Sequence, residues 1–126
     1  MKKAILIFCL LALLVPANVL ARSNIMEFPC TSSTEQTGSA LLLTGTGVFY
    51  GILVMTDGTN AVTVDIYDNT SAAGTAKFIP TWVVPTSATD RAKSAWIAPG
   101  HSITTGIYVN ITCSGTVKYK VYYEAY

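Results

Sequence analysis

Hydrophobic and polar residues alternate in short runs along most of this chain, which is the pattern of β-strands. In the run 62–67, Val62, Val64 and Ile66 alternate with more polar neighbours. A period of two predicts a strand with one face towards a core. The preceding run, 47–55, is apolar on both faces, which predicts a strand that is covered on both sides.

The turn residues 57–60 (Asp-Gly-Thr-Asn) separate these two runs and predict a β-hairpin, around which we expect the other strands to be laid. A three-residue loop would pair Val54 with Val62, and a four-residue loop would pair Met55 with Val62. The two registers turn opposite faces of the first strand inward. The pattern therefore leaves the inward face of 48–55 open.

In either register, one apolar row of this strand needs a cover. A long loop of the same chain could supply it, and so could a second subunit. The sequence-based candidates for such an interface are Phe49, Leu53 and Met55.

Further alternating runs predict more strands, with turn residues at each junction. Pro80 cannot donate to a ladder, so its run predicts an edge strand or a bulge. The last two runs predict a second hairpin that pairs Ile111 with Tyr119 over an odd loop with a bulge. The runs that predict these further strands are 39–44, 76–84, 92–98, 107–113 and 117–123.

The chain shows no amphipathic helical stretch after its N-terminal segment. About seven to eight short strands predict a single all-β domain over 37–126, a small β-sandwich or a jelly-roll-like fold. Residues 22–36 are polar and lack a period, and they predict an extended N-terminal arm.

The N-terminal segment 1–21 has the pattern of a cleaved signal peptide. Lys2 and Lys3 precede an apolar run that is too short to span a bilayer. A cleavage site of the A-x-A type follows this run and ends at Ala21. We therefore expect a secreted protein, in the periplasm, at the cell surface or outside the cell. The rest of the chain contains no second apolar span, so we expect no membrane span in the mature protein.

Charge and cysteine content limit the possible partners and predict a covalent link. The formal net charge is +1, and the basic residues form no cluster of the kind that nucleic acid requires. Outside the N-terminal segment the chain has two cysteines, Cys30 and Cys113. In an exported chain they predict a disulfide bond that ties the arm to a late strand.

Catalytic patterns are weak. The single histidine, His101, lies in a predicted Pro-Gly-His-Ser turn, and the G-x-S-x-G motif is absent. Asp65 and Asp68 have opposite strand parity, which does not suit a carboxylate pair across a cleft. Asp68 and Asn69 could offer oxygen atoms to calcium, but the spacing of a calcium loop is missing. We predict a protein that is not an enzyme and holds no metal or cofactor.

Aromatic residues are the stronger functional signal. Flat side chains on a sheet can stack on sugar rings or anchor a protein interface, although tyrosine and tryptophan also simply suit strands. The candidate ligand-stacking residues are Tyr67, Trp82, Trp96 and Tyr122.

The stretches GVFYGILVMTDGTNAVTVDIYDNTSAAGT and GIYVNITCSGTVKYKVYY resemble a small β-sandwich type found in uncharacterised bacterial and phage-encoded proteins, some of them virion-associated. The resemblance covers residues 47–123 and lies in turns and core positions. It implies a β-sandwich with a structural or decorating role in an assembly. The signal peptide and the cysteine pair set this chain apart from a virion protein.

Two functions are therefore expected. The first is a secreted, non-enzymatic structural module that acts by protein–protein contact, with itself or with another surface protein, and that could be a repeating subunit of an extracellular or surface assembly. The alternative is a carbohydrate-binding β-sandwich that uses exposed tyrosine and tryptophan side chains.

Overall fold

Eight β-strands run through residues 30–126, the part of the chain that the computed structural model describes. The predicted signal peptide and the arm up to residue 29 lie outside the described residues. The strands are β1 (Thr31–Ser32), β2 (Ala40–Thr44), β3 (Gly47–Thr56), β4 (Val62–Asp68), β5 (Trp82–Val84), β6 (Ala92–Ile103), β7 (Gly106–Cys113) and β8 (Val117–Ala125).

The strands form two four-stranded antiparallel sheets. Sheet A has the order β1-β8-β3-β6, and sheet B has the order β2-β7-β4-β5. The chain changes sheet at every connection except that between β4 and β5, which is the arrangement of an eight-stranded jelly roll. The prediction of an all-β sandwich is confirmed.

The core lies between the two sheets and is built from the inward rows of their strands. The predicted inward rows of β4, β7 and β8 are confirmed by burial. Residues at the centre of the core are Phe49, Ile52, Val54, Val62, Val64, Val84, Ile107, Val109, Tyr119 and Val121.

The predicted hairpin of 47–69 is wrong. β3 lies in sheet A between β8 and β6, and β4 lies in sheet B between β7 and β5. The turn between them carries the chain from one sheet to the other. The Asp57 carboxylate holds this crossover by accepting hydrogen bonds from the backbone N–H groups of Thr59, Asn60 and Thr116, at 2.8, 2.9 and 3.1 Å.

The predicted hairpin of the last two strands is wrong for the same reason. The loop 114–116 has the predicted position, but it joins β7 in sheet B to β8 in sheet A. Tyr119 pairs with Val54 of β3 and bridges to Gln36, and Ile111 pairs with Val64 of β4.

A β-bulge in β3 explains why neither of its two apolar faces points towards the core along the whole strand. The register shifts between Phe49 and Gly51, so Phe49 faces the core from one parity while Ile52 and Val54 face it from the other. On β6, Trp96 pairs with Gly51 and His101 pairs with Phe49, so residues 97–100 fall between paired positions. The strand that begins at Ala92 therefore continues through the predicted turn that contains His101.

The sheet edges agree in part with the sequence. Only the last residues of the predicted strand 76–84 form a strand, β5, and it is an edge strand, as Pro80 suggested. The predicted arm, from residue 31, is extended and forms the edge strand β1 of its own sheet, beside β8.

Candidate contact surface

The two cysteines described, Cys30 and Cys113, are both free, so the predicted disulfide bond is wrong. Cys30 adjoins Thr31, which pairs with Tyr123 near the end of β8, whereas Cys113 ends β7 just before β8 begins at Val117. The two positions lie at opposite ends of β8, roughly 20 Å apart at the rise of a strand. A disulfide joins Cα atoms that are about 6 Å apart.

Aromatic and aliphatic side chains gather on the outer face of sheet A, which is formed by Tyr50, Leu53, Met55, Trp96 and Tyr122. Outward positions of β3, β6 and β8 supply them, and Gly51 and Leu53 of β3 lie opposite Tyr122 and Lys120 of β8. Trp96 is 58% exposed and Met55 is 46% exposed. This surface has the residue types that are enriched in protein interfaces.

Trp96 and Tyr122 meet across β3. Their ring centroids are 4.8 Å apart, and their planes are tilted by 40°. Gly51 pairs with both residues, and a Cβ atom placed there would lie 2.5 Å from Cε3 of Trp96. The absence of a side chain at Gly51 therefore lets the indole lie over the strand towards the tyrosine. Of the four predicted stacking residues, the structure brings these two together.

The other two predicted stacking residues lie elsewhere. Tyr67 is 8% exposed, beneath the segment that contains Lys77, whose Nζ atom is 5.7 Å from the ring centroid. Its prediction as an outward stacking residue is wrong. Trp82 begins β5 and packs, partly buried, against the core.

Of the three predicted interface residues, one is buried in the core and two lie on the outer face of sheet A. Phe49 is fully buried, with its ring 5.3 Å from that of Phe78, so its assignment to an interface is wrong. The bulge turned it inward. Leu53 and Met55 do lie on the outer face of sheet A, where they line a shallow cavity of about 200 Å³ together with Lys120 and Tyr122.

Polar groups surround this cavity. Lys118 Nζ is 2.9 Å from Glu35 Oε1 at its margin. On the other side of Trp96, a cavity of about 300 Å³ is lined by Tyr50, Ile97 and Ala98. The surface thus presents the aromatic pair between two hollows, of which the first is lined by both apolar and charged side chains and the second mainly by apolar ones.

The aspartates serve the fold. Asp65 accepts hydrogen bonds from Lys77 Nζ and Thr81 Oγ1, both at 2.7 Å, and the lysine bond is the main cause of its lowered pKa. Burial alone would raise the pKa of Asp68, but hydrogen bonds from residues 104–106 outweigh it and lower the pKa. The hydrogen bond from the Asn60 side chain is the first cause of the lowered pKa of Asp57.

His101 stacks on Phe78, with ring centroids 4.5 Å apart and planes almost parallel, at 2°. Among residues 30–126, no group of three or more histidine, cysteine, aspartate or glutamate side chains is placed to hold a metal ion. Over the same residues, no helix is long and apolar enough to cross a membrane.

Comparison with known proteins returns no match to a family model, to a curated protein or to a solved structure. The chemistry of the surface itself therefore carries the functional argument.

Proposed function

We propose that the protein is a secreted, non-enzymatic structural module that acts by protein–protein contact through the outer face of sheet A. The observation that carries this proposal is the exposure of Trp96 beside Tyr122, Leu53 and Met55 on one side of one sheet. A role as a repeating subunit of an extracellular assembly, and kinship with the bacterial and phage-encoded sandwich type, belong to the same proposal.

Physical chemistry supports contact through this surface. Aromatic and methionine side chains are enriched at interfaces, and a few aromatic anchors in desolvated pockets carry most of the binding energy. The contacts of Trp96 with Gly51 and Tyr122 restrict the positions open to its indole, which lowers the conformational entropy lost when a partner covers it. The flanking ion pair of Lys118 and Glu35 suits the polar rim of such an interface.

Carbohydrate binding is the second candidate, because Glu35, Lys118 and Lys120 place hydrogen-bonding groups beside the ring of Tyr122. The tilt of 40° between the rings of Trp96 and Tyr122 argues against a flat stacking platform for a sugar chain. Protein contact is therefore the better supported function.

Sedimentation velocity over a wide range of protein concentration tests the proposal. We expect the wild-type chain to self-associate, and L53K/M55K to weaken that association at least about tenfold, because a buried unpaired charge is costly. V83K is the matched control, since Val83 is 54% exposed on β5 of the other sheet. It should associate like the wild type.

A wild-type chain that stays monomeric at the highest concentration, or equal association of L53K/M55K and the wild type, would contradict the proposal. A glycan array with the wild type and W96A tests the alternative. Binding that is lost in W96A, together with a monomeric wild type, would favour the carbohydrate function.

A further inference from the structure

A third cavity, with an apolar lining, opens at the side of the sandwich, between the edge strands β5 and β6. Its volume is about 260 Å³. We call it the edge pocket. It reaches the core at Ile52, Val64 and Ile66, and its walls towards solvent are Ile79, Trp82 and Ala95.

The edge pocket offers few hydrogen-bonding partners to water. Its lining side chains carry two polar groups, the indole N–H of Trp82 and the hydroxyl of Thr81, and the hydroxyl already donates to Asp65 Oδ1 at 2.7 Å and accepts from Lys77 Nζ at 2.9 Å. A water molecule in a protein cavity needs two to four polar partners, and apolar cavities stay dry. Water in the edge pocket is therefore poorly held, and an apolar group that displaces it gains binding free energy.

The charges at the rim limit the choice of ligand. None of the lining side chains is charged, and Lys77 and Asp65 beside Thr81 form an ion pair at 2.7 Å. A carboxylate on a ligand would have to compete with Asp65 for the lysine. A hydroxyl or another neutral polar head could remain at Thr81 without that cost.

We propose that the edge pocket binds the hydrocarbon part of a small uncharged molecule, with any polar head left at the Thr81 rim. The volume is ample, since an apolar cavity of about 150 Å³ in a protein interior already holds one benzene molecule. The wall of buried aliphatic side chains and one tryptophan is of the kind found in small-molecule sites.

This inference goes beyond the proposed function and does not depend on it. Ala95 and Trp96 are neighbours on β6 and point to opposite sides of sheet A. The edge pocket therefore lies behind the sheet whose outer face carries Trp96, and the two sites can be tested separately.

Titration with 1-octanol, followed by the NMR signals of the two indole N–H groups, tests the proposal. We expect the Trp82 signal to shift in a saturable way, the Trp96 signal to stay in place, and nuclear Overhauser contacts to join the octanol chain to Ile52 and Ile79. Octanoate, which has the same number of carbon atoms and a charge, should bind at least about tenfold more weakly.

A substitution that fills the edge pocket provides the second test. A95I places a larger side chain in the edge pocket and should reduce octanol affinity at least tenfold, whereas A92I, at an outward position of the same strand, should leave it unchanged. The proposal is overturned by a Trp82 signal that does not respond, by a response at Trp96 in its place, or by tight binding to A95I. Octanoate that binds as tightly as octanol would overturn the preference for an uncharged ligand.

Discussion

At the scale of single residues, Gly51 has the largest effect on the surface. A glycine in the middle of a strand weakens it, because the residue has no side chain to pack and loses much entropy on folding. Here the indole of Trp96 covers the bare backbone and so compensates for part of that cost. The same residue thus both requires an aromatic cover and shapes the outer face of sheet A.

We expect G51A to lower the free energy of unfolding by about 1–3 kcal/mol, the usual cost of overpacking. The new Cβ atom would lie 2.5 Å from Cε3 of Trp96 and 2.7 Å from the backbone oxygen of Ala95, which cannot move cheaply. Urea unfolding measures the change. In G38A, where a Cβ atom meets nothing within 4 Å, stability should change by less than about 0.5 kcal/mol. Equal stability of G51A and the wild type would contradict this account.

The cysteines give a second prediction at this scale. Because Cys30 and Cys113 lie at opposite ends of β8, the thiols of these two residues should both react with a thiol reagent, and exposed Cys30 should react faster than half-buried Cys113. Dithiothreitol should leave the melting temperature unchanged. A melting temperature that falls on reduction would show a bond that this fold cannot accommodate.

Single residues also show where sequence reasoning failed. Alternation assigned Val62, Val64 and Ile66 correctly, because their strand is regular and one of its faces is buried. It could not place Phe49, because a bulge inverts the parity within β3 and nothing in the run 47–55 marks that bulge except Gly51. The glycine was the one available signal.

At the scale of elements, most turn positions were predictable, although the predicted turn at His101 lies inside β6, and strand partners were not. The Asp-Gly-Thr-Asn residues do form a turn, held by Asp57, as their local chemistry predicts. The same turn chemistry can return a strand within its sheet or pass it to the facing sheet. Whether β4 can pair with β3 depends on which strands already occupy the two edges of β3. Those strands are β6 and β8, which lie far along the chain.

Asp68 performs a similar task at the connection of β6 to β7. Its carboxylate accepts hydrogen bonds from the backbone N–H groups of Thr104, Thr105 and Gly106 and from the hydroxyl of Thr104. The pattern of residues could not reveal this link, because Asp68 ends β4, and only the fold brings it to the turn.

We expect D68A to lower the free energy of unfolding by roughly 1–3 kcal/mol, since it leaves N–H groups without an acceptor, and Gly106 is buried. Chemical denaturation measures the loss. D90A is the control, because Asp90 is an exposed carboxylate beside Lys93 and should change stability by less than about 0.5 kcal/mol. A loss in D90A equal to that in D68A would contradict a specific role of the turn.

At the scale of the whole molecule, the lowered pKa values of Asp57, Asp65 and Asp68 predict an acid-sensitive fold. Each carboxyl binds a proton less readily when folded than when unfolded. Its contribution to stability is therefore fully present above the unfolded pKa, about 4, and is lost as the pH falls through the folded pKa.

The melting temperature should thus be nearly constant from pH 7 to about pH 5 and should fall steadily below about pH 4. In D57N, which removes one of the three titrating groups, the fall should be shallower. Calorimetry at several pH values measures both slopes. A melting temperature that is the same at pH 3 and pH 7 would contradict the assignment.

Whole-molecule architecture was predicted more reliably than its parts. Short alternating runs, frequent turn residues and the lack of helical periodicity were enough for an all-β sandwich, because each follows from burying one face of a sheet. The outer surface was less predictable. Trp96 and Tyr122 become neighbours only after β6 and β8 take their places on either side of β3.

The order of strands in sheet A also has a consequence for the way the sheet folds. Every strand pair in sheet A joins segments that are distant along the chain, because β8 lies between β1 and β3, and β6 lies on the other side of β3. Such pairs require long loops to close before any contact is gained, and folds of this kind form slowly. We therefore expect sheet A to assemble slowly, and the core positions of Tyr119 and Val121 to be completed only when β8 docks against β3.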